Sequence, residues 1–445
     1  MDNQHHRNSV RIESSPALLR TESTANTEQL MEEVVERENL MMALKHVRSN
    51  KGAPGVDGMT VYDLAAHLKE HWPETRESLL TGTFRPKPVK RVEIPKPDGS
   101  GVRKLGIPTV LDRFIQQAVL QVLQPRWDPT FSESSFGFRP GRSAHDAISQ
   151  AQQLIAQGSA WVVDIDLEKF FDRVNHDRLM GRIANRVKDK RILKLLRAFL
   201  NAGVMENGMV SPTVEGTPQG GPLSPLLSNL VLDELDKELE RRGHRFVRYA
   251  DDCNIYVKSE RAGQRVMDSI TNFITRRLKL RVNSAKSAVD IVERRKFLGY
   301  KFGGPGNPKR RIAKESLDRF KMKIRELTAR SRGRSIKQLV SEDLAPYIRG
   351  WGNYYRYCET PSVFVELNGW IRRRLRSYLW RIGLHQSGRG KALRKLGIND
   401  RMAREASGWR VGAWRASKSY VMSLAAPESY FCSLGLPNLC VEPYA

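Results

Sequence analysis

Cysteine is scarce in this 445-residue chain: there are four, Cys253, Cys358, Cys432 and Cys440, with no CxxC pair among them. That spacing excludes a disulfide framework and a zinc module, and the four read as ordinary reduced thiols. Long apolar runs are also missing. No window offers the roughly 18 apolar residues that a bilayer span needs, and the N-terminal stretch lacks the apolar core of a secretory signal. The expectation is a cytoplasmic protein with no membrane partner. Acidic residues are the third shortage, with 49 Asp and Glu against 75 Lys and Arg and a net charge of +26. Such an excess belongs to a polyanion binder rather than to an enzyme of small metabolites.

What is present supports folded domains. With 40% apolar and 28% charged residues the chain can build real cores, and its length suggests about two or three domains. The charge is uneven. Residues 301–445 hold 29 Lys and Arg against 11 Asp and Glu, a net of +18, which leaves +8 for the first 300 residues. A charge run is often only a solvated face, but so many uncompensated charges in a short stretch repel one another, which favours a nucleic acid footprint.

Residues 1–28 are polar and read as a mobile tail. Apolar residues at helical spacing predict a helix from Glu32 to Val47, followed by the loop Lys51–Gly58. Alternation around Val89–Pro95 and Val102–Pro108, with turn formers between, predicts a hairpin carrying Lys96, Arg103 and Lys104 near its tip. A helix from Leu111 to Leu123 follows. In Trp161-Val-Val-Asp-Ile-Asp166 strand alternation puts Val163 and Ile165 on one face and Asp164 and Asp166 on the other. Phe246–Val257 is two apolar runs interrupted by Asp251 and Asp252, a pattern for a hairpin with the acidic pair at its turn.

Asp-Asp is good turn chemistry in any hairpin. A third strand-borne carboxylate beside it is costly, however, unless a cation neutralises the group. Hard oxygen ligands suit Mg²⁺, and two such ions roughly 3.5–4 Å apart can activate a 3′ hydroxyl and stabilise a departing pyrophosphate. That chemistry makes a polymerase.

The boxes Tyr249-Ala-Asp-Asp252, Asp166 with Phe170-Phe171-Asp172, Gly216-Thr-Pro-Gln-Gly-Gly-Pro-Leu-Ser-Pro225, Ser135-Phe-Gly-Phe-Arg-Pro-Gly141 and Phe297-Leu-Gly-Tyr-Lys-Phe302 occur in that family's order. From about residue 32 to its C-terminus the chain resembles a group II intron reverse transcriptase/maturase. The resemblance implies an α+β right-hand polymerase: fingers, a palm with an antiparallel sheet, a helical thumb, and a small C-terminal DNA-binding region. The implied boundaries are a tail at 1–28, an N-terminal extension and fingers at 29–110, a fingers and palm core at 111–305, a thumb or maturase X domain at 306–385, and the DNA-binding region at 386–445. Asp166, Asp251 and Asp252 take the positions of the metal-binding triad, served by two Mg²⁺ ions with Mn²⁺ as a substitute. Asp164 shares the face of Asp166, and Asp166 is preferred because the family's aromatic gate, which favours dNTPs, stands five residues on, at Phe171. Lys96 and Arg103 match finger residues that contact the triphosphate, with Lys104 a rival to Arg103, and Gln219 matches the nucleotide-pocket glutamine.

Arg139 and Arg142, beside Phe136 and Phe138, are candidate template contacts, with core phenylalanines and surface arginines as the equal alternative. Helices are expected at Lys314–Arg330, Ile336–Tyr357 and Ser362–Ile382. In the third, Arg372, Arg373 and Arg376 lie largely off the apolar stripe, free to face a phosphate backbone. Trp351, Tyr354 and Tyr355 suit either stacking on RNA or helix packing, and packing is expected for at least half of them. The paired Cys and His signature of an HNH nuclease is absent, which resembles class C members. The implied activity is RNA-directed DNA synthesis together with intron RNA binding, splicing and retrohoming, in a bacterial cytosol or nucleoid. Alternatives are a free-standing relative recruited to repair or phage defence, and a chiefly non-catalytic splicing cofactor. Partners would be intron RNA or another RNA template, a DNA primer or target, and dNTPs. RNA affinity should fall linearly on a log–log plot against salt, with a slope of about 0.7 to 0.9 per phosphate contact. A flat response in filter binding would show that the basic excess is not the binding surface.

Overall fold

The computed structural model describes residues 28–95, 101–206, 209–211, 215–216, 220–329, 333–383 and 388–440. The expected tail, Lys96 and Gln219 lie outside them. Strands occur at Val89–Pro95 (β1), Val102–Ile107 (β2), Trp161–Ile165 (β3), Val204–Glu206 (β4), Met209–Ser211 (β5), Arg245–Tyr249 (β6), Asp252–Val257 (β7), Ala288–Ile291 (β8), Lys296–Phe297 (β9), Tyr300–Phe302 (β10) and Arg310–Ile312 (β11). They form sheets of order β2-β1-β4-β5, β6-β7-β3-β8 and β11-β10-β9. No helix of the described residues is long and apolar enough to cross a membrane.

The chain divides into two compact units. The first comprises residues up to Arg142, then Asp166–Arg242 and Ile270–Asn283. Its centre is the helix Val110–Trp127, five residues longer than the apolar stripe predicts and buried well beyond it, with Gln116 and Gln117 covered as well as Phe114, Ile115, Ala118 and Val119. Instead of the single helix expected over 32–47 there are two, Leu30–Val34 and Arg37–Ser49, because Glu36 is extended. The break is tied down from both sides. Asn39 Nδ2 donates to Val34 O and Ala118 O, and the Met31 amide donates to Asp189 Oδ2 at 2.9 Å. The Arg191 guanidinium holds the Glu32 carboxyl below its ordinary range.

The second unit comprises Ser143–Ile165, Gly243–Ser269 and Ser284 onward. The helix Ala144–Ala156 opens with a Ser143/Asp146 capping box and buries Ala147, Ile148, Ala151 and Ile155. The sheet β6-β7-β3-β8 is antiparallel throughout, with Val163 facing Ile255 on one side and Val289 on the other. Helices Lys314–Leu327, Ala345–Tyr355 and Ser362–Tyr378 share one core with the C-terminal segments, from Phe320 and Ile348 through Ile371 and Leu375 to Met422 and Phe431.

In the first unit Asp112 sits in the opening turn of the helix Val110–Trp127. Its amide donates to Thr109 Oγ1, and its Oδ2 accepts from Thr109 Oγ1 at 2.6 Å and from the Lys87 amide at 3.2 Å. Burial nevertheless pushes its carboxyl up from 3.8 to about 6. Between those pH values the unfolded chain has released the proton that the folded chain retains, so stability from this group falls as pH rises from 3.8 to about 6. That displacement corresponds to roughly 3 kcal/mol. Asp112→Asn should gain on the wild type between pH 4 and pH 7 in denaturant titrations, and parallel pH profiles would refute the assignment.

Candidate active site

The hairpin β6–β7 places the acidic pair where its sequence pattern predicts. Tyr249 faces Asp252 across a two-residue turn, Ala250-Asp251. Ala250 takes a left-handed φ of 56°, which costs a non-glycine residue about 1 kcal/mol. A buried arginine supports it: Arg248, 0% exposed, donates from Nη1 to Ala250 O at 2.8 Å. Sequence reasoning missed Arg248, although a cation inside the run Phe246-Val-Arg-Tyr was a legible signal. Asp251 and Asp252 are both partly exposed. Burial, with the negative charge of Asp252 among its neighbours, raises the Tyr354 phenol well above its ordinary value.

On β3, Ile165 faces Cys253 and Asp164 faces Asn254. Asp166 is the next residue of the chain, and its carbonyl accepts from the Asn283 amide at 2.8 Å within the first unit. Val163 and Ile165 are buried as the alternation requires. Asp164 is taken up by Arg295, whose Nε donates to Asp164 Oδ2 at 3.0 Å and whose Nη2 makes a shorter bond to the same oxygen. Among the described residues no three Asp, Glu, His or Cys side chains converge to hold a metal ion. The fit to divalent ions therefore rests on donor chemistry: Asp166, Asp251 and Asp252 offer only hard oxygens, which suit ions of this class.

Phe170 and Phe171 separate in role. Phe170 is buried and Phe171 only half-buried, on a short 3₁₀ turn entered through Lys169 at a left-handed φ of 50°. Gly216 closes on this turn, its amide donating to Val174 O at 2.8 Å. A Cβ there would stand 2.8 Å from Phe171 O at a φ of +94°, so glycine is required. Gly220 is similarly bound to glycine, since a Cβ would meet Gly106 O of β2 at 2.7 Å. In the β1–β2 hairpin Arg103 faces Ile94, while its rival Lys104 pairs loosely with Glu93 at 3.6 Å.

Several basic residues that the sequence offers as nucleic acid contacts have partners within the chain. Arg139 is a buried pin: its side chain is 3% exposed, pairs with Asp128 at 2.9 Å and donates to Ser132 O and Ser135 O. Arg142 pairs with Glu133 and lies over the Phe136 ring. Phe136 is core and Phe138 is 45% exposed. On the helix Ser362–Tyr378, Arg372 pairs with Glu428, Arg373 stacks on Trp414 with 3.8 Å to the ring centroid, and Arg376 donates to Ala426 O. These arginines bind the C-terminal segment rather than face outward, because guanidinium packs on aromatic rings and carbonyls as readily as on phosphate. Trp351, Tyr354 and Tyr355 pack with Phe320 and Tyr300.

A family model described as reverse transcriptase (RNA-dependent DNA polymerase) matches residues 94–302, and one described as group II intron, maturase-specific domain matches residues 317–397. Protein YkfC of Escherichia coli (strain K12) is 34% identical over 312 residues, 61% of this chain and 82% of that one. The group II intron-encoded protein LtrA of Lactococcus lactis subsp. cremoris is 40% identical over 196 residues, 44% of this chain but 32% of that one. A putative COX1/OXI3 intron 2 protein of Saccharomyces cerevisiae is 31% identical over 240 residues, 53% of this chain and 27% of that one. The match thus spans most of YkfC and a third or less of the other two.

Arg139→Ala would strand the partly buried Asp128 carboxylate and three acceptors, at a cost of about 3 kcal/mol. Thermal unfolding should show that loss, whereas the salt slope of RNA binding should be unchanged; a lower slope with unaltered stability would return Arg139 to the nucleic acid surface.

Proposed function

The chain belongs to the family of group II intron reverse transcriptases that carry a maturase domain, and we propose that it copies RNA into DNA while binding the intron RNA whose splicing and retrohoming it supports. Asp166, Asp251 and Asp252 supply the carboxylates for two divalent ions, Mg²⁺ first. When bound, such ions lower the pKa of a primer 3′ hydroxyl and offset charge on the leaving pyrophosphate. The observation that carries this reading is the β3–β7 register: Ile165 faces Cys253, and the neighbours of these two along the chain are Asp166 and Asp252.

The remaining residues position substrate. Phe171 stands half-exposed on its turn and excludes a 2′ hydroxyl, which favours dNTPs. Lys96 and Arg103 neutralise triphosphate oxygens, and Gln219, in the glycine-bounded loop, meets the incoming nucleotide. Residues 29–110 and 111–305 serve as fingers and palm, 306–385 as thumb, and 386–445 as a DNA-binding region. The cation surface shifts accordingly to exposed residues such as Lys391, Lys395, Arg410, Arg415 and Lys418. A free-standing role in repair or defence uses the same chemistry and is distinguished by whether intron RNA is bound tightly.

Primer extension on an RNA template with dNTPs and Mg²⁺ tests the assignment. Asp251→Ala should lose at least about 10³-fold in rate, with splicing support retained, and Phe171→Ala should raise ribonucleotide incorporation. Full extension by Asp251→Ala would end the catalytic assignment.

A further inference from the structure

The ion pair under the acidic hairpin goes beyond the triad. β3 is an interior strand, between β7 and β8, and Asp164 faces Asn254 on one side and Ala288 on the other. Asp164 lies two residues before Asp166, the residue that directly follows β3. Two ionised carboxylates so placed would both attract a divalent cation. Asp164, however, presents Oδ2 to two N–H groups of Arg295, and Arg295 Nη2 also donates to Lys286 O at 2.9 Å. The pair is mostly shielded, with side chains 15% and 29% exposed. Across the strand, the partner position is held by a neutral amide: Asn254 is 2% exposed and its Oδ1 has no hydrogen-bond partner. The row that begins at Asp164 is thus kept close to neutral, whereas Asp252, two residues before Asn254, opens its strand partly exposed.

We propose that Arg295 is a positioning residue that neutralises Asp164 and so confines divalent-ion binding to Asp166, Asp251 and Asp252. The inference rests on the polymerase reading above. A bare Asp164 would draw an ion two residues inward along β3, away from the hairpin tip, and ion affinity would rise while turnover fell. A purely structural bolt between β3 and residue 286 would instead lower both through loss of order.

The test uses the full chain and Mn²⁺ alone, with binding read from the loss of the free Mn²⁺ electron paramagnetic resonance signal, beside primer extension. Arg295→Gln should bind Mn²⁺ about fivefold more tightly, since it removes a positive charge beside a carboxylate, and should extend primers about tenfold more slowly. The double variant Asp164→Asn/Arg295→Gln should return both values toward wild type, and Asp164→Asn alone, which leaves the Arg295 charge uncompensated, should bind Mn²⁺ about fivefold more weakly. Unchanged or weaker Mn²⁺ binding in Arg295→Gln overturns the proposal, as does a double variant no better than the single one. Loss of Mn²⁺ binding in the double variant, whose net charge matches wild type, overturns it too, by making Asp164 a ligand. The polymerase reading fails separately, if the wild-type chain extends no primer at all.

Discussion

Carboxylates gathered on one sheet must be held against their mutual repulsion, and much of the second unit follows from that constraint. Asp164, Asp251 and Asp252 all belong to strands β3 and β7 or the turn before β7. Two arginines hold them in place. Arg295 clamps Asp164, and the buried Arg248 holds the carbonyl of Ala250, the residue that turns the chain into the acidic pair. An interior cation is costly unless its donors are engaged, and the Ala250 carbonyl engages one nitrogen of the fully buried Arg248. The strained φ of Ala250 fits this view, since a supported turn can tolerate a conformation that a free one would relax.

The same physics changes the meaning of the net charge. An arginine is weakly hydrated and planar, so it packs on rings and carbonyls inside a protein. Arg373 lies on Trp414, Arg389 lies 4.1 Å from the Trp380 centroid and donates to Trp409 O, and Arg374 donates to Thr328 Oγ1 at 2.7 Å. Charge counted along residues 301–445 is therefore not the charge presented to a polyanion. A good part of it holds the helix Ser362–Tyr378 to the segments after it.

The strands were the most legible part of the molecule in its sequence. Period-two alternation bounded by turn formers is a local signal, and it located β1, β2, β3 and the β6–β7 hairpin with its acids at the turn. Helix breaks were less legible. The interruption at Glu36 depends on Asp189 and Ala118, which are distant in sequence and invisible to periodicity. The roles of arginines were the least legible, because Arg139 buried on Asp128 and an arginine facing a phosphate read alike in a string of letters. Preference for Asp166 over Asp164 required a family likeness; what the structure adds is that Asp164 is bonded to Arg295.

The packing around Tyr354 joins the two matched family regions within one unit. Residues 94–302 fit the polymerase model and residues 317–397 the maturase model. Leu298 and Gly299 make a turn with two successive left-handed residues, φ 49° and 81°, between β9 and β10. The Tyr354 hydroxyl donates to Leu298 O at 2.7 Å, and the Tyr300 hydroxyl donates back to Tyr354 O at 2.7 Å. His145 Nε2, from the helix Ala144–Ala156, meets the same carbonyl. Tyr355 closes the gap over Gly299, where even a Cβ would stand 2.5 Å from its hydroxyl. A shift of the helix Ala345–Tyr355 would have to break these bonds or carry the β9–β10 turn with it, and close packing favours the second course.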